Sequence, residues 1–531
     1  MVSRYEIFAI FHKVKILFFT SCLILLAIPG TIAQSTEIYE PVVSQHTCLA
    51  MKPWPLMLLC ANSILFIILL MVRKTLEFAK QRFVLEGIIN ERTEELLKQK
   101  EKVDELLSNM LPRDTANQLK STGKATTRKY GMVTILFSDI EGFTRIAEQM
   151  NPEVLVDELD KFFFEFDSLV EDSNIEKIKT IGDAYMAAGG IPEGNRTNPV
   201  DVVLAAIKIM QYMKRLKIEN ENFWDLRIGI HTGPVIAGVV GQKKLSYDIW
   251  GDSVNTASRM ESSGEPGRIN ISGSTFELVR DFFACEYRGK MPVKYKGNID
   301  MYFVKGFRPE LSIDMKGEEP NNRFFVRLQN LRLSDIVEKY LKRIEEKIPA
   351  NLCFHNHKYC VDLLTRCELL FGSEQISEED RLIVKTAALF DCCSYLKGYS
   401  QREKYIQHLL RETLPKYHYT RDQALQISSL LTNPFYPPAA KTLPEMVLSD
   451  ARLAFIGKPG FEDAATRLYR ELKAYGKVAS RIEFINDLGY FLQSFKFYTL
   501  TAQKLAEIPP RLQVEELNKI ADQPIFPLAF L

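Results

Sequence analysis

Two aspartates carry side chains that could bind metal, and both follow apolar or β-branched residues. Asp139 lies in the segment LFSDIEGFT (136–144), and Asp183 lies in KTIGDAY (179–185). Each aspartate also precedes a turn, so we expect both carboxylates at the ends of buried strands or hairpins. Two such carboxylates brought together form a hard oxygen-ligand site that suits Mg²⁺ or Mn²⁺ and a polyphosphate.

A third segment, YDIWGDSVNTASRM (247–260), adds an amide and a guanidinium to this set. From Gly251 onward it is typical of a turn that leads into a helix. Asn255 and Arg259 are four residues apart, so both project from one helical face. The planar fork of arginine matches phosphate oxygens, and an amide beside it suits a ribose. The three segments together predict a nucleotide site.

With these motifs the sequence resembles the class III nucleotidyl cyclases, which make cyclic AMP or cyclic GMP. The resemblance extends from about residue 106 to residue 306. It includes LLSNMLP (106–112), RIGIHTGPVIAG (227–238) and KYKG (294–297), in the order in which the family has them. Several separated motifs in the right order are far more specific than any one short pattern.

The resemblance implies a role for each matching position. The expected metal ligands for two Mg²⁺ or Mn²⁺ ions are Asp139, Asp183 and the Ile140 carbonyl; the base contacts are Lys179 and Asp248; the ribose and α-phosphate contacts are Asn255 and Arg259; the outer phosphate contacts are Lys296 and Arg268. Such a site relies on positioning and charge stabilisation rather than on a covalent nucleophile.

The base-contact residues favour ATP as the substrate. The adenine edge offers an acceptor at N1 and a donor at its 6-amino group, and Lys179 and Asp248 supply a donor and an acceptor. Guanine reverses this pattern, and the similar cyclases that use GTP have an acidic residue and a cysteine at these positions. The sequence therefore predicts an adenylate cyclase. The alternatives are a guanylate cyclase and a catalytically silent module that binds nucleotide.

The resemblance also implies a homodimer. In the family, the metal aspartates of one subunit face the base and arginine positions of the other. This chain has both half-sets, so two-fold symmetry predicts two equivalent shared sites.

Composition limits the other partners. The chain has 531 residues, 46% of them hydrophobic and 25% charged, which is ordinary for folded protein, and its length favours about three domains. Its net charge of +1, with no basic stripe interleaved with aromatics, argues against a nucleic-acid partner.

The amino-terminal part predicts a membrane anchor at residues 1–74. Residues 55–72 form an uncharged run just long enough to span a bilayer, and the basic residues after it predict a cytoplasmic end. Residues 16–33 are either a signal peptide or a first transmembrane helix. We therefore expect a cell (inner) membrane protein with a cytoplasmic catalytic domain.

Residues 75–112 predict a coiled coil. Mostly apolar residues recur at alternating spacings of four and three between Leu85 and Met110, and Pro112 ends the run. The alternative is a single amphipathic helix packed on its own domain. Parallel pairing would set how the two catalytic halves meet.

The remaining chain predicts two folded domains. Residues 113–310 alternate strand-like and helical runs, which indicates an α/β domain, and the resemblance implies a ferredoxin-like (α+β) core. Residues 322–531 predict an all-α domain that loosely resembles an HD-type phosphohydrolase, retaining Asp391 and Asp450 with His355 and His357 nearby. Tyr359 and Phe390 replace expected metal-binding histidines, so we expect a degenerate, regulatory or dimer-supporting domain.

Overall fold

The computed structural model describes residues 54–221, 223–241, 244–293, 297–432 and 439–521. The chain divides after Asn109 into two compact units. In the first unit the structure describes one long helix, α1 (Trp54–Met110), with 57 residues. The apolar residues of its predicted heptad pattern are exposed along it, including Leu85, Ile89 and Leu96. Their pairing with a second helix stays a prediction.

The predicted membrane span at residues 55–72 is wrong. In the described part of the chain, no helix is both long enough and apolar enough to cross a bilayer. Asn62 and Ser63 lie within the run and lower its mean hydropathy, and Arg73 and Lys74 end it directly after Val72. The other predicted segment, 16–33, lies outside the described residues.

The first half of the second unit is an α/β domain built on one eight-stranded sheet. The strands are β1 (Arg128–Ile140), β2 (Glu176–Ile181), β3 (Ala184–Gly189), β4 (Leu226–Val240), β5 (Ser246–Trp250), β6 (Ile269–Ser272), β7 (Phe283–Val293) and β8 (Gly297–Phe307). The helices are α2 (Arg113–Thr122), α3 (Phe143–Gln149), α4 (Pro152–Glu171), α5 (Asn198–Glu219), α6 (Asp252–Ser262) and α7 (Gly273–Val279).

The strand order, β2-β3-β1-β4-β6-β8-β7, places β1 in the middle of a ferredoxin-like core. Strand β1 pairs antiparallel with both β3 and β4, while β2 and β3 form a hairpin. The unit β1-α4-β2-β3-α5-β4 therefore has the βαββαβ connectivity of the ferredoxin-like fold, as the family resemblance implied. Beyond it, β6 pairs parallel to β4, and β5 pairs antiparallel with the last residues of β4.

Helix α4 shows how the sequence sets these elements. Pro152 occupies the first turn, where its missing N–H is harmless, and the side chain of Asn151 accepts a hydrogen bond from the Glu153 N–H. Phe162 and Phe166 stand four residues apart, so both enter the core from one face, where they are at most 2% exposed. Helix α5 packs in the same apolar cluster, so both helices are fixed against the sheet.

The second half of this unit is a helical domain with its own apolar core. Its helices are α8 (Asn322–Lys347), α9 (His357–Phe371), α10 (Glu378–Ser394), α11 (Arg402–Thr413), α12 (Arg421–Thr432), α13 (Leu443–Leu453), α14 (Phe461–Ala474), α15 (Arg481–Ser494), α16 (Leu500–Leu505) and α17 (Gln513–Ala521). Helix α10 lies at its centre, with nearly all of its last dozen residues buried.

Candidate active site

The two predicted metal aspartates lie at neighbouring strand ends. Asp139 is the second-last residue of β1, and Ile140 ends that strand. Asp183 lies in the two-residue turn between β2 and β3, after Gly182, whose φ of +65° is a left-handed conformation that glycine adopts readily. Because β3 pairs with β1, with Tyr185 opposite Ser138, the turn lies beside Asp139.

The two carboxylates are close enough to perturb each other. Burial raises the pKa of Asp183, and the negative charge of Asp139 raises it further. The side chains of the two aspartates also fall within hydrogen-bonding reach of each other. The strand pairing thus concentrates negative charge where the sequence predicted a metal site.

One arginine contacts this negative cluster, and it is absent from the predicted set. Arg227 stands opposite Asp139 in the β1–β4 register, and its guanidinium lies 2.8 Å from the Asp139 carboxylate. It also lies 3.0 Å from Glu141 and 3.2 Å from Glu261. Burial and the charge of Asp139 raise the pKa of Glu261 to about 7, although Arg227 opposes that shift. One cation is therefore shared among several carboxylates.

This charge balance fits divalent metal. Two carboxylates and a backbone carbonyl such as that of Ile140, which follows Asp139, are the oxygen ligands that Mg²⁺ and Mn²⁺ prefer. In the described part of the chain, no group of three or more His, Cys, Asp or Glu side chains is arranged to hold a metal ion. A metal bound by Asp139 and Asp183 would need further oxygen ligands, as a triphosphate provides.

The predicted base-contact residues lie together at a second place. Lys179 on β2 and Asp248 on β5 form an ion pair, with Nζ and Oδ2 2.6 Å apart. The Lys179 side chain is 39% exposed and the Asp248 side chain 19% exposed, so the pair is partly shielded from water. The other Asp248 oxygen, Oδ1, accepts a hydrogen bond from the Ile249 N–H. A donor and an acceptor therefore stand side by side, as the prediction requires.

Helix α6 presents Asn255 and Arg259 on an exposed face. The helix lies tightly against β4 because Gly229 has no side chain: a Cβ there would lie 1.9 Å from the Glu261 nitrogen. The hydroxyl of Ser253 also donates to the Pro234 carbonyl at 2.8 Å. The position of both exposed side chains is therefore fixed by the sheet behind them.

The two predicted outer-phosphate residues have different outcomes. The Arg268 guanidinium packs on the Phe303 ring, 4.6 Å from its centre, and pairs with Glu265 at 3.6 Å. The arginine that pairs with Asp139 is Arg227, not Arg268. Lys296 lies outside the described residues. Both roles stay predictions.

The predicted groups therefore form two clusters. Asp139 and Asp183 lie together, and Lys179 and Asp248 lie together. Among the described residues, no ion pair or hydrogen bond joins one cluster to the other.

The helical domain does not present the metal set of a phosphohydrolase. Asp391 is buried and accepts from Arg402 at 2.5 Å and from Arg452 at 3.0 Å. Burial raises its pKa, but these two guanidinium groups outweigh burial and hold it below its usual value. Asp450 accepts from the Thr499 hydroxyl and from the N–H groups of Tyr498 and Thr499.

One histidine of the predicted HD-like pattern is paired with a carboxylate in the domain interior. His355 lies 2.5 Å from Glu471, and both side chains are at most 2% exposed. His357 is the first residue of α9. The HD-like resemblance is therefore not confirmed.

Comparison with known proteins settles the family of the α/β domain. The sequence model for the adenylate and guanylate cyclase catalytic domain matches residues 125–306. These residues form a cyclase catalytic domain. Guanylate cyclase 32E of Drosophila melanogaster is 40% identical over 242 residues, which cover 44% of this chain and 21% of that protein. Human guanylyl cyclase C is 40% identical over 234 residues, which cover 43% and 22%.

Two solved structures show similarity to part of this chain. The guanylate cyclase domain of RhGC from Catenaria anguillulae, in complex with GTP, is 36% identical with a TM-score of 0.32, and the match covers 34% of this chain and 98% of that one. The adenylyl cyclase CyaB from P. aeruginosa is 31% identical with a TM-score of 0.32, covering 34% and 95%. This chain spans about a fifth of the length of the curated relatives it matches.

Proposed function

We propose that this protein is a homodimeric nucleotide cyclase that converts ATP to 3′,5′-cyclic AMP and pyrophosphate. The observation that carries the choice of base is the ion pair of Lys179 and Asp248, 2.6 Å apart. The ammonium group can donate to N1 of adenine, and the carboxylate can accept from its 6-amino group. Guanine would present a donor to the ammonium and an acceptor to the carboxylate.

A guanylate cyclase is the second candidate, and the comparisons favour it. The relatives reported above at 40% identity are named guanylate cyclases, so overall similarity supports the GTP alternative better than it supports ATP. Similarity over more than 200 residues reflects the whole domain, whereas a base is distinguished by the few groups that touch its edge. We therefore weigh the Lys179–Asp248 pair above the names of the relatives.

The metal cluster supports the proposed reaction. Divalent ions bound by Asp139, Asp183 and the Ile140 carbonyl would lower the pKa of the ribose 3′-hydroxyl and neutralise the triphosphate. Arg227 already contacts Asp139 and would orient that carboxylate. Arg259 would meet the charge that develops at the α-phosphate during in-line attack by the 3′-oxygen. That attack breaks the bond between the α-phosphorus and the oxygen that bridges to the β-phosphate, and it releases pyrophosphate.

The separation of the two clusters supports shared sites. The two metal aspartates lie next to each other, and the two base-contact residues, Lys179 and Asp248, pair with each other. Asn255 and Arg259 are exposed on α6. Two chains related by a two-fold axis would bring the metal cluster of one chain to the α6 face of the other. The homodimer would then have two equivalent sites.

The test uses the full chain with ATP or GTP and either Mg²⁺ or Mn²⁺, and identifies products by mass spectrometry. We expect cyclic AMP, and we expect Asp139→Asn to abolish it because the amide cannot replace a charged metal ligand. Asp281→Asn is the control, since it makes the same change at an exposed aspartate after α7. Cyclic GMP as the main product would support the second candidate. No cyclic product from either nucleotide would refute both.

A further inference from the structure

The β2–β3 hairpin holds both Lys179 and Asp183, and the helical domain contacts the chain on both sides of it. Asn174 lies just before β2, and Arg196 lies between β3 and α5. The hairpin therefore has a base-contact residue on its first strand and a metal aspartate in its turn. Anything that fixes its two flanks also fixes those two side chains.

The flank after β3 is held by an ion-pair cluster on α8. The Arg196 N–H donates to Asp335 Oδ2 at 2.9 Å, and its guanidinium donates to Asp335 Oδ1 at 3.1 Å. The same guanidinium donates to Glu338 at 2.7 Å. A contact that uses both the backbone and the side chain of Arg196 fixes the path of the chain as well as the charge.

A second, more buried pair lies one turn earlier on α8. Arg332 is 3.3 Å from Asp201 in the first turn of α5, and the side chains are only 15% and 8% exposed. Asp201 also accepts from the Thr197 hydroxyl at 2.6 Å. Burial raises the pKa of Asp201, and the charge of Arg332 opposes that rise. The two pairs together attach residues 196–201 to α8.

The flank before β2 is held from a turn of the helical domain. The Asn174 amide lies 3.1 Å from the His418 imidazole, and the His418 carbonyl accepts from Gln329 on α8 at 2.7 Å. Asn174 has a φ of +54°, so the chain reverses there between α4 and β2. This contact therefore lies where the hairpin leaves the preceding helix.

Helix α8 is anchored in both domains. Phe324 and Leu328 in its first half belong to the apolar core of the cyclase domain. Leu333, Ile336 and Ile344 in its second half belong to the core of the helical domain. A single continuous helix with one face of each half packed in a core transmits position between the two cores, because packed interiors resist deformation.

We infer that the helical domain is a positioning module for the β2–β3 hairpin. Arg196, Asp335, Arg332 and Asp201 act as positioning residues, which hold Lys179 and Asp183 through the ends of the hairpin without touching substrate. The inference rests on the proposed cyclase function. It gives the C-terminal half of the chain a role in catalysis that requires no ligand of its own.

The test reverses one charge on the exposed part of this contact. Arg196→Glu places a carboxylate against Asp335 and Glu338, and we expect kcat/KM for ATP to fall about fivefold, equivalent to about 1 kcal/mol. Most of this fall in kcat/KM should come from a rise in KM. The preference for ATP over GTP should also narrow, because Lys179 is less well placed. Adding Glu338→Arg again places one cation between two carboxylates and should restore most of the loss.

The matched control is Arg280→Glu. Arg280 follows α7, is 54% exposed and pairs with Glu277 at 2.7 Å, so the same charge reversal is made away from the contact of Arg196 with Asp335 and Glu338. We expect its kinetic constants to equal those of the unmodified chain. A loss equal to that of Arg196→Glu would show a general charge effect and overturn the inference.

Hydrogen–deuterium exchange on the full chain gives a readout that does not depend on activity. Residues 176–189 should exchange faster in Arg196→Glu and return towards normal with Glu338→Arg. Unchanged exchange, or faster exchange with unchanged kcat/KM, would overturn the inference. If the unmodified chain makes no cyclic nucleotide, the proposed function fails, and the exchange result alone decides whether α8 holds the hairpin.

Discussion

Exchanging the base-contact pair should move activity from ATP to GTP. The change is Lys179→Glu together with Asp248→Cys, which replaces the ammonium by an acceptor and the carboxylate by a weak donor. The two side chains lie 2.6 Å apart in the unmodified chain and are partly shielded from water. Their replacement therefore inverts the hydrogen-bonding pattern that faces the base.

The magnitude follows from the number and burial of the mismatched groups. A buried donor or acceptor left without a partner costs about 1–3 kcal/mol. Because the Lys179 side chain is 39% exposed, water offsets part of that cost, and we use a value near the lower end for each group. Two groups then give about 2–3 kcal/mol, or about 30-fold to 150-fold in kcat/KM. The unmodified chain should prefer ATP by this factor, and the double variant should lose it.

The assay measures kcat/KM for both nucleotides on the full chain. Lys177→Glu is a close control, since Lys177 lies on the same strand, is also 39% exposed and pairs with Asp167 at 2.6 Å. It should keep the preference for ATP. Each single change at Lys179 or Asp248 should lower activity with ATP without a gain with GTP. A preference unchanged in the double variant, or a preference for GTP in the unmodified chain, would refute this account of base choice.

Three further changes test the dimer, the packing and the pH dependence. Mixing Asp139→Ala with Arg259→Ala chains, each inactive alone, should restore about a quarter of normal activity, because half the dimers are mixed and each has one intact site; no activity in verified mixed dimers would contradict shared sites. Gly229→Ala should lower the unfolding temperature and reduce kcat at least about tenfold, because its Cβ would meet the α6 backbone at 1.9 Å. The control Gly131→Ala should change neither quantity, because a Cβ there would have no neighbour within 4 Å. Burial raises the pKa of Glu176 to about 6, so its ionised form destabilises the fold above that pH. In thermal unfolding, Glu176→Gln should therefore stabilise the chain by up to about 2 kcal/mol at pH 8 but not below pH 4.5. Equal stabilisation at both pH values would contradict this.

Local patterns predicted the strand-end aspartates and an α/β domain, while the ferredoxin-like core was implied only by the family resemblance. Asp139 and Asp183 could be placed because each follows an apolar run and precedes a turn, and such signals depend on near neighbours in the chain. The base-contact roles of Lys179 and Asp248 were predicted only through the family resemblance. The ion pair between them was not predicted, since it joins β2 to β5, 69 residues apart.

Arg227 shows what local patterns miss. It lies in the quoted RIGIHTG segment, but its contact with Asp139 depends on the β1–β4 register, which joins residues 88 apart. The available signal was its position as the one charged residue of an otherwise buried strand start. To predict from this signal that Arg227 pairs with Asp139, one must already know that β4 lies beside β1.

The wrong membrane prediction and the unconfirmed HD-like resemblance both began from short patterns. The membrane prediction gave too little weight to polar residues inside its run, whereas the HD-like pattern was already expected to be degenerate because of the residues at its histidine positions. Asn62 and Ser63 divide the apolar run of α1, and Tyr359 and Phe390 stand where metal-binding histidines would be needed. A short sequence pattern predicts a membrane span or a metal site reliably only when each required position has a residue of the required type.

The charges around Asp391 and Asp139 indicate which of the two domains is suited to bind metal. Asp391 is buried with two arginines, so its charge is more than compensated and a cation there would be repelled. Asp139 shares Arg227 with Glu141 and Glu261, and Asp183 adds a further negative charge. A partly buried carboxylate cluster with only one arginine among its members is costly, and a divalent ion with its nucleotide would reduce that cost. Metal chemistry is therefore expected in the cyclase domain, while the helical domain meets its own charge requirement internally and remains free to act through α8.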